Sequence, residues 1–290
     1  MMRIAFQGEI GAYSEEALAA LYPGAEKVPF PSFEAAFDAV VRSDVDRAVL
    51  PIENSLFGSV HQNYDLLLEH DLKILAEVQL RIRHQLLAVA GASLGDIRTV
   101  TSHPQAIGQC RSFLKKHLPD AHIVPAYDTA GAAKMIAEAG DVSSAAIASR
   151  AAASEYHLQT LAEDIESNHA NYTRFLALGR PDANANEGLA QSSLPASSHD
   201  PTFKTSLLYA QKENVPGGLF KSLAVFALRD IDLFKIESRP LVGSPGQYVF
   251  YLDLKGHLDE EPIRHALRHL EEVAANVKVL GSFLQGQTVE

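Results

Sequence analysis

Strand signals alternate with helix signals from Arg3 to Ala148, and no other feature limits the possible folds as much. Residues 3–7 read as a strand that ends at Gly8 and Gly11. Ser14, Glu15 and Glu16 then open a helix carrying Ala17, Leu18 and Leu21, with a capping residue first and acids in the first turn. Ser32 opens a second helix, with Phe33, Ala36, Phe37 and Val40 at helical spacing. Residues 48–52, 100–101, 123–124 and 145–148 read as short strands, separated by helices through 66–68, from Ser102 and over 128–138. This order predicts α/β layers around mostly parallel strands. Residues 72–90 look like two strands with few breakers, so the pattern has two centres. Two lobes with a cleft between them follow, hinged near 72–82 and 170–180.

Residues 181–201, PDANANEGLAQSSLPASSHDP, carry no apolar period and read as a linker. Beyond it comes a strand over 204–211, then a helix opened by Pro216, Gly217 and Gly218 with Leu219, Leu223 and Phe226 in register. Strands over 231–238 and 248–254 follow, then a helix capped by Asp259 with Pro262 in its first turn and Ile263, Leu267, Leu270 and Ala274 along one face. A strand over 277–280 closes a β-α-β-β-α-β order, which is ferredoxin-like. The expected division is 1–180, a linker at 181–201, and a small domain at 202–284.

Composition narrows the function. Lys plus Arg is 25 and Asp plus Glu is 36, a net charge of −11 that offers no basic face to nucleic acid or anionic membrane. An anionic ligand would need a local site. No run of ~20 apolar residues marks a membrane span, and the opening MMRIAFQGEIGAYS lacks a signal-peptide core, so the expected setting is cytoplasmic. Cys110 is the single cysteine, which excludes an intramolecular disulfide or a cysteine-rich metal site. His265 and His269 lie four apart without a third ligand and read as a solvated helix face, so no metal is expected. Gly8-x-x-Gly11 lacks the third glycine and downstream acid of a dinucleotide site and reads as a strand-to-helix turn; no cofactor is expected.

Three blocks hold candidate site residues. Glu53, Asn54 and Ser55 end a strand, where polar groups face the ligand crevice of an α/β sheet, although Asn54 or Ser55 could simply cap the next helix. Ser102-His103-Pro104-Gln105 fits a capping box, and a helix start there could also receive a carboxylate, with Gln109 one turn on. His103 invites a general-base reading, against the commoner structural one. In Asn171-Tyr172-Thr173-Arg174-Phe175, Thr173 and Phe175 share a strand face while Arg174 points the other way, so Arg174 could reach the same cleft only from a strand end or bulge.

Taken in order, GEIGAYSEEAL, PIENSLFGSV, TSHPQAIGQC and NYTRFLALG resemble the signature blocks of the prephenate dehydratase family. KENVPGGLFKSL and IESRP resemble the two motifs of its C-terminal ACT regulatory domain, and the resemblance runs from Arg3 to about Phe283. It implies a two-lobed, periplasmic-binding-protein-like catalytic domain followed by a ferredoxin-like ACT domain. Some relatives carry an N-terminal chorismate mutase bundle; this chain opens on the first strand and is expected to be monofunctional. The implied reaction strips CO2 and the ring hydroxyl from prephenate to give phenylpyruvate, an elimination driven by aromatisation that needs no redox cofactor.

The same resemblance implies roles for residues. Thr173 would donate to the departing hydroxyl, with Glu53 as a partner in proton transfer. Asn54, Ser55, Ser102 and Gln109 would be neutral donors in the cleft, Phe175 would share the Thr173 face, and Arg174 would hold the side-chain carboxylate. L-phenylalanine would bind the ACT domain through Asn214, Pro216, Gly217, Gly218 and Leu219, closed by Glu237, Ser238 and Arg239. ACT domains pair across subunits, so a homodimer or homotetramer is expected. The chemically adjacent alternative is arogenate dehydratase, which releases phenylalanine directly; arogenate carries an ammonium where prephenate carries a keto group. A non-catalytic amino-acid sensor is a further alternative, and an ACT-linked dehydrogenase would need a dinucleotide fingerprint that is absent.

Overall fold

The computed structural model describes residues 1–190, 202–241, 243 and 246–290. The chain builds a first lobe from β1 (Arg3–Gln7), α1 (Tyr13–Leu21), β2 (Glu26–Phe30), α2 (Phe33–Val41), β3 (Arg47–Asn54), β4 (Gly58–Ser59), α3 (His61–Glu69) and β5 (Lys73–Arg81). It then crosses to a second lobe of β6 (Gln85–Ala88), β7 (Thr99–Ser102), α4 (Pro104–Gln109), α5 (Arg111–His117), β8 (His122–Pro125), α6 (Thr129–Ala139), β9 (Ser144–Ala148), α7 (Arg150–Glu155) and β10 (Gln159–Ala162). It returns to the first lobe as β11 (Tyr172–Gly179). The C-terminal unit is β12 (Phe203–Gln211), α8 (Gly218–Ala227), β13 (Leu233–Pro240), β14 (Tyr248–Lys255), α9 (Glu261–Val273) and β15 (Ala274–Leu284), and a last short strand, β16 (Thr288–Val289), follows.

The first sheet has the order β16-β5-β11-β3-β1-β2 with β4 beside β3, and the second has the order β10-β6-β9-β7-β8. Both are more mixed than the expectation of mostly parallel pairing. Strands joined by helices pair in parallel, as β1 with β2 and β7 with β8. The strands that carry the chain between lobes insert antiparallel, β11 between β3 and β5, and β6 between β9 and β10. The C-terminal sheet, β13-β14-β12-β15, is wholly antiparallel, with α8 and α9 packed on one face in the ferredoxin-like order.

Its other face lies on the first lobe. Leu208, Val249, Tyr251, Leu280 and Phe283 share one apolar core with Ile52, Tyr64, Leu67, Ile74 and Leu176. The approach is close enough that a Cβ at Gly281 would stand 2.2 Å from the Ile74 carbonyl oxygen. β16 lies beyond the expected boundary at 284 and adds to the first sheet, parallel to β5. Residues 191–201 of the expected linker lie outside the described residues. Its first part is tied to the first lobe: Ala190 N–H donates to the Leu21 carbonyl, Arg47 donates to the Asn184 carbonyl, and Leu189 packs on the core. No helix among the described residues is long and apolar enough to cross a membrane.

The two lobes touch through the β1–α1 turn. Gly11 sits at φ +90°, and a Cβ there would meet the Ala152 Cα at 2.7 Å. The Gly11 carbonyl accepts from Ser149 Oγ, and the Ile10 carbonyl from the Tyr156 hydroxyl. The Gly8-x-x-Gly11 turn therefore serves as a lobe-to-lobe contact.

Candidate active site

A cleft of about 610 Å³ opens between the lobes. From the first lobe come Tyr13 and Ser14 at the start of α1, Asn54 at the end of β3, and Thr173 and Phe175 on β11. From the second come His103, Gln105, Gln109 and Asp128, with His84 on the segment that enters it. Among the described residues that line it, Asp128 is the one carboxylate, and none is Lys or Arg.

Thr173 is held so that its proton faces the cleft. Asn54 Nδ2 donates to Thr173 Oγ1 at 2.9 Å and to Asn171 Oδ1 at 2.8 Å. Asn54 Oδ1 accepts from the N–H groups of Leu56 and Phe57, which fixes the direction of the amide. The Thr173 oxygen is thus already an acceptor, and its O–H is left to donate to a bound molecule. A bulge makes this meeting possible. Thr173 pairs with Asn54 and Arg174 with Glu53, but Phe175 pairs with Pro51, so Ile52 is skipped. Asn54 and Pro51 both reach the cleft while Ile52 lies on the opposite side, beside Arg174.

A second network holds Gln109. His84 is buried, with Nδ1 2.8 Å from the Tyr13 hydroxyl and Nε2 against Gln109 Oε1. The His84 N–H donates to Glu166 at 2.9 Å. Burial lowers the His84 pKa, so the ring is neutral and carries one proton. With Gln109 Oε1 as acceptor, that proton is on Nε2, and the single Tyr13 O–H proton is shared between Nδ1 and the Arg83 carbonyl, each 2.8 Å away. The Gln109 NH2 group is then a donor toward the cleft. The sequence reading misses His84 and Tyr13; their partners are far along the chain and no local pattern marks them.

Several expected site residues lie elsewhere. Arg174 is on the far face of β11, where its Nε donates to Glu77 at 2.6 Å and its Nη1 to Asp253 at 2.5 Å. It cannot hold a substrate carboxylate, because the bulge is on β3 and leaves β11 alternation intact. Glu53 also faces away, paired with Lys235 at 2.9 Å, and is out of reach as a proton partner for Thr173. Ser102 is fully buried at the end of β7 and donates to the Ile147 carbonyl, so it neither caps nor lines the cleft. His103 takes the cap position of α4 instead, its ring accepting from the Gln105 N–H. Ser55 ties the end of β3 to Ala170 and Tyr172. Burial raises the Cys110 pKa and keeps the thiol inert.

In the C-terminal unit, Gly217 caps α8 in the left-handed region at φ +79°, as its sequence suggests. Asn214, Pro216 and Leu219 are exposed beside it, with Gly218 half-buried. Glu237 and Arg239 do not join that loop, and they do not form a solvated edge either. Glu237 accepts from Ser59 at 2.7 Å and lies 3.6 Å from His61, and Arg239 pairs with Asp65 at 2.7 Å. Both side chains fasten β13 to the first lobe, while Ser238, between them, is exposed. Among the described residues no group of three His, Cys, Asp or Glu side chains is placed to hold a metal ion.

The family model described as prephenate dehydratase matches residues 4–183. The chain is 48% identical to arogenate dehydratase/prephenate dehydratase 2, chloroplastic, of Arabidopsis thaliana, over 97% of this chain and 72% of that protein. It superposes on the structure of prephenate dehydratase in complex with L-Phe from Arthrobacter aurescens with a TM-score of 0.86 at 33% identity, covering 98% of this chain and 90% of that one. GqqA, described as a novel type of quorum quenching acylase, superposes with a TM-score of 0.85 at 34% identity, over 98% of both chains.

Proposed function

The chain belongs to the prephenate dehydratase family, and from that premise we propose that its main substrate is arogenate, with prephenate turned over more slowly. It is a carbon–oxygen lyase of the phenylalanine pathway. The sequence motifs by themselves mark the family and do not choose between prephenate and arogenate. The 48% identity to a protein named for both substrates, above the 33% to a prephenate dehydratase, supports the arogenate alternative. So does a cleft lined, among the described residues, by neutral donors and one carboxylate with no lysine or arginine, since arogenate is the less anionic of the two.

The observation that carries the reading is the Thr173 hydroxyl, oriented by Asn54 with its proton free for the leaving group. In this reading the ring carboxylate departs as CO2, its electron pair enters the ring, and the ring hydroxyl leaves as water with a proton taken up from solvent. Thr173 hydrogen-bonds that hydroxyl as it departs, and the Gln109 NH2 helps orient the substrate. Neutral donors suit this chemistry: a cation on the departing carboxylate would stabilise the ground state that must lose its charge. A hydrolytic reading by analogy with GqqA has less support, because no Ser or Thr hydroxyl among the described residues lining the cleft is bonded to a histidine.

The C-terminal βαββαβ unit supports feedback control by phenylalanine through the loop at Gly217. Exposed Phe220 and Leu219 on α8, with Phe234 and Ile236 on the edge strand β13, offer an apolar face for a second copy. Calorimetry with the full chain should show phenylalanine binding; no heat at saturating protein removes the regulatory reading. The enzymatic proposal is tested by side-by-side turnover of arogenate and prephenate. A higher kcat/KM for arogenate supports it, and activity on prephenate alone returns the chain to the first expectation.

A further inference from the structure

We propose that Asp128 receives the side-chain ammonium of arogenate and sets the preference for arogenate over prephenate, an inference that rests on the arogenate reading above. An ammonium moved from water into a cleft needs an anionic or strongly accepting partner. Asp128 is the one carboxylate among the described residues lining this cleft. It stands at the cap of α6, on the second lobe, opposite the wall that carries Thr173 and Asn54. Its oxygens accept from the backbone N–H groups of Gly131 and, at 3.3 Å, Glu9. Those contacts are neutral, His103 and Lys134 act on it only at longer range, and among the described residues no Lys or Arg forms an ion pair with it. Lys134, one turn along α6, is drawn to Glu9 at 3.1 Å instead. Tyr127 also donates to Glu9, so the nearest other carboxylate is already engaged.

Burial pushes the Asp128 pKa up, outweighing the two backbone N–H bonds and the pull of His103. A bound ammonium would supply a paired cation. Both substrates carry a carboxylate at this end, but prephenate has a keto group where arogenate has the ammonium, so in prephenate nothing offsets repulsion by Asp128 and the keto oxygen offers it no donor. One residue thus favours one substrate and disfavours the other. The three cleft histidines cannot do both: His84 is neutral and engaged, burial lowers the His103 pKa, and His61 faces Glu237.

The test is steady-state kinetics of full-length wild type, Asp128→Asn and Asp128→Ser on both substrates. Asn and Ser both keep an oxygen for the α6 cap, so at least one variant should fold, as checked by circular dichroism and thermal midpoint. The ammonium contact is present in ground state and transition state alike, so its loss appears in KM more than in kcat. The expected result is a fall in kcat/KM for arogenate of roughly 30-fold, carried mostly by KM, with the prephenate value unchanged or higher. Equal losses on both substrates, or an unchanged arogenate KM, overturn the inference while the function stands. A wild type that turns over prephenate but not arogenate overturns the function and the inference together.

Discussion

Thr173 and Arg174 are neighbours on β11, yet the two sides of that strand have opposite characters. Toward the cleft the groups are neutral and partly unpaired, and toward the C-terminal sheet they are charged and fully paired. On the second side Arg174 joins Glu77 and Asp253, Lys204 reaches Glu77 at 2.7 Å, and Ser206 donates to Asp253. The Gly286 N–H adds a bond to Glu77. Lys235 pairs with Glu53, the residue next to Asn54, so the C-terminal sheet braces the strand end that holds the Asn54 amide. The contrast shows how a single strand separates chemistry from architecture. On this strand the charged groups sit where they pair with one another, and the side toward the cleft carries neutral groups.

The largest effect is expected from breaking the charged side. Arg174→Met removes the cation shared by buried Asp253 and Glu77, leaving Asp253 with the Ser206 hydrogen bond and no ion pair, and should cost about 3–5 kcal/mol in denaturant unfolding. Loss of activity in step with loss of stability, and no faster, would mark Arg174 as architectural. The same variant should also change how stability depends on pH. Burial works to raise the Asp253 pKa, but Arg174, Ser206 and Lys204 outweigh it and hold the carboxyl below its ordinary value of 3.8. A depressed folded-state pKa adds stability above the unfolded value, and that stability is lost as pH falls through the lower folded one. The wild type should therefore keep this contribution down to about pH 4. The variant, with Asp253 no longer depressed, lacks this contribution, so its deficit against the wild type should be largest near neutral pH and shrink as pH falls below about 4. Identical acid unfolding curves would contradict the network.

The next effect sharpens the cleft side. His84→Leu frees the Gln109 amide to rotate and should lower kcat by roughly ten- to a hundredfold with a normal unfolding midpoint. His84→Gln restores an N–H toward Gln109 and should recover part of that loss, whereas a merely space-filling His84 would leave the two variants equal. Smallest is the tail. Removing residues 286–290 deletes β16 and the Gly286 bond to Glu77, and should cost about 1 kcal/mol in unfolding with kcat unchanged.

How much of this was legible in the sequence depends on the range of the signal. Period-two alternation on β11 already separates Thr173 and Phe175 from Arg174, and the structure keeps it. On β3 the bulge at Ile52 breaks the alternation, so no simple count places Pro51 and Asn54 on one side. Ser102 fits a capping box on paper, but strand pairing takes it into β7 and buries its hydroxyl. Glu237 and Arg239 alternate as a solvated edge would, yet the first lobe supplies Ser59, His61 and Asp65 to meet them. His84 belongs to no pattern and Asp128 reads only as a helix start, since each gains its place at the cleft from groups that only the fold brings near.

The central claim is that the Thr173 O–H, aimed by Asn54, stabilises the departing hydroxyl. Thr173→Val keeps the shape of the side chain and removes that donor. The measurement is kcat of the folded variant on the better of the two substrates, with unfolding followed in parallel. The account predicts a fall of roughly a hundredfold or more at a near-normal unfolding midpoint, with Thr173→Ser retaining more activity than Thr173→Val. A folded Thr173→Val protein with near-normal kcat would contradict it.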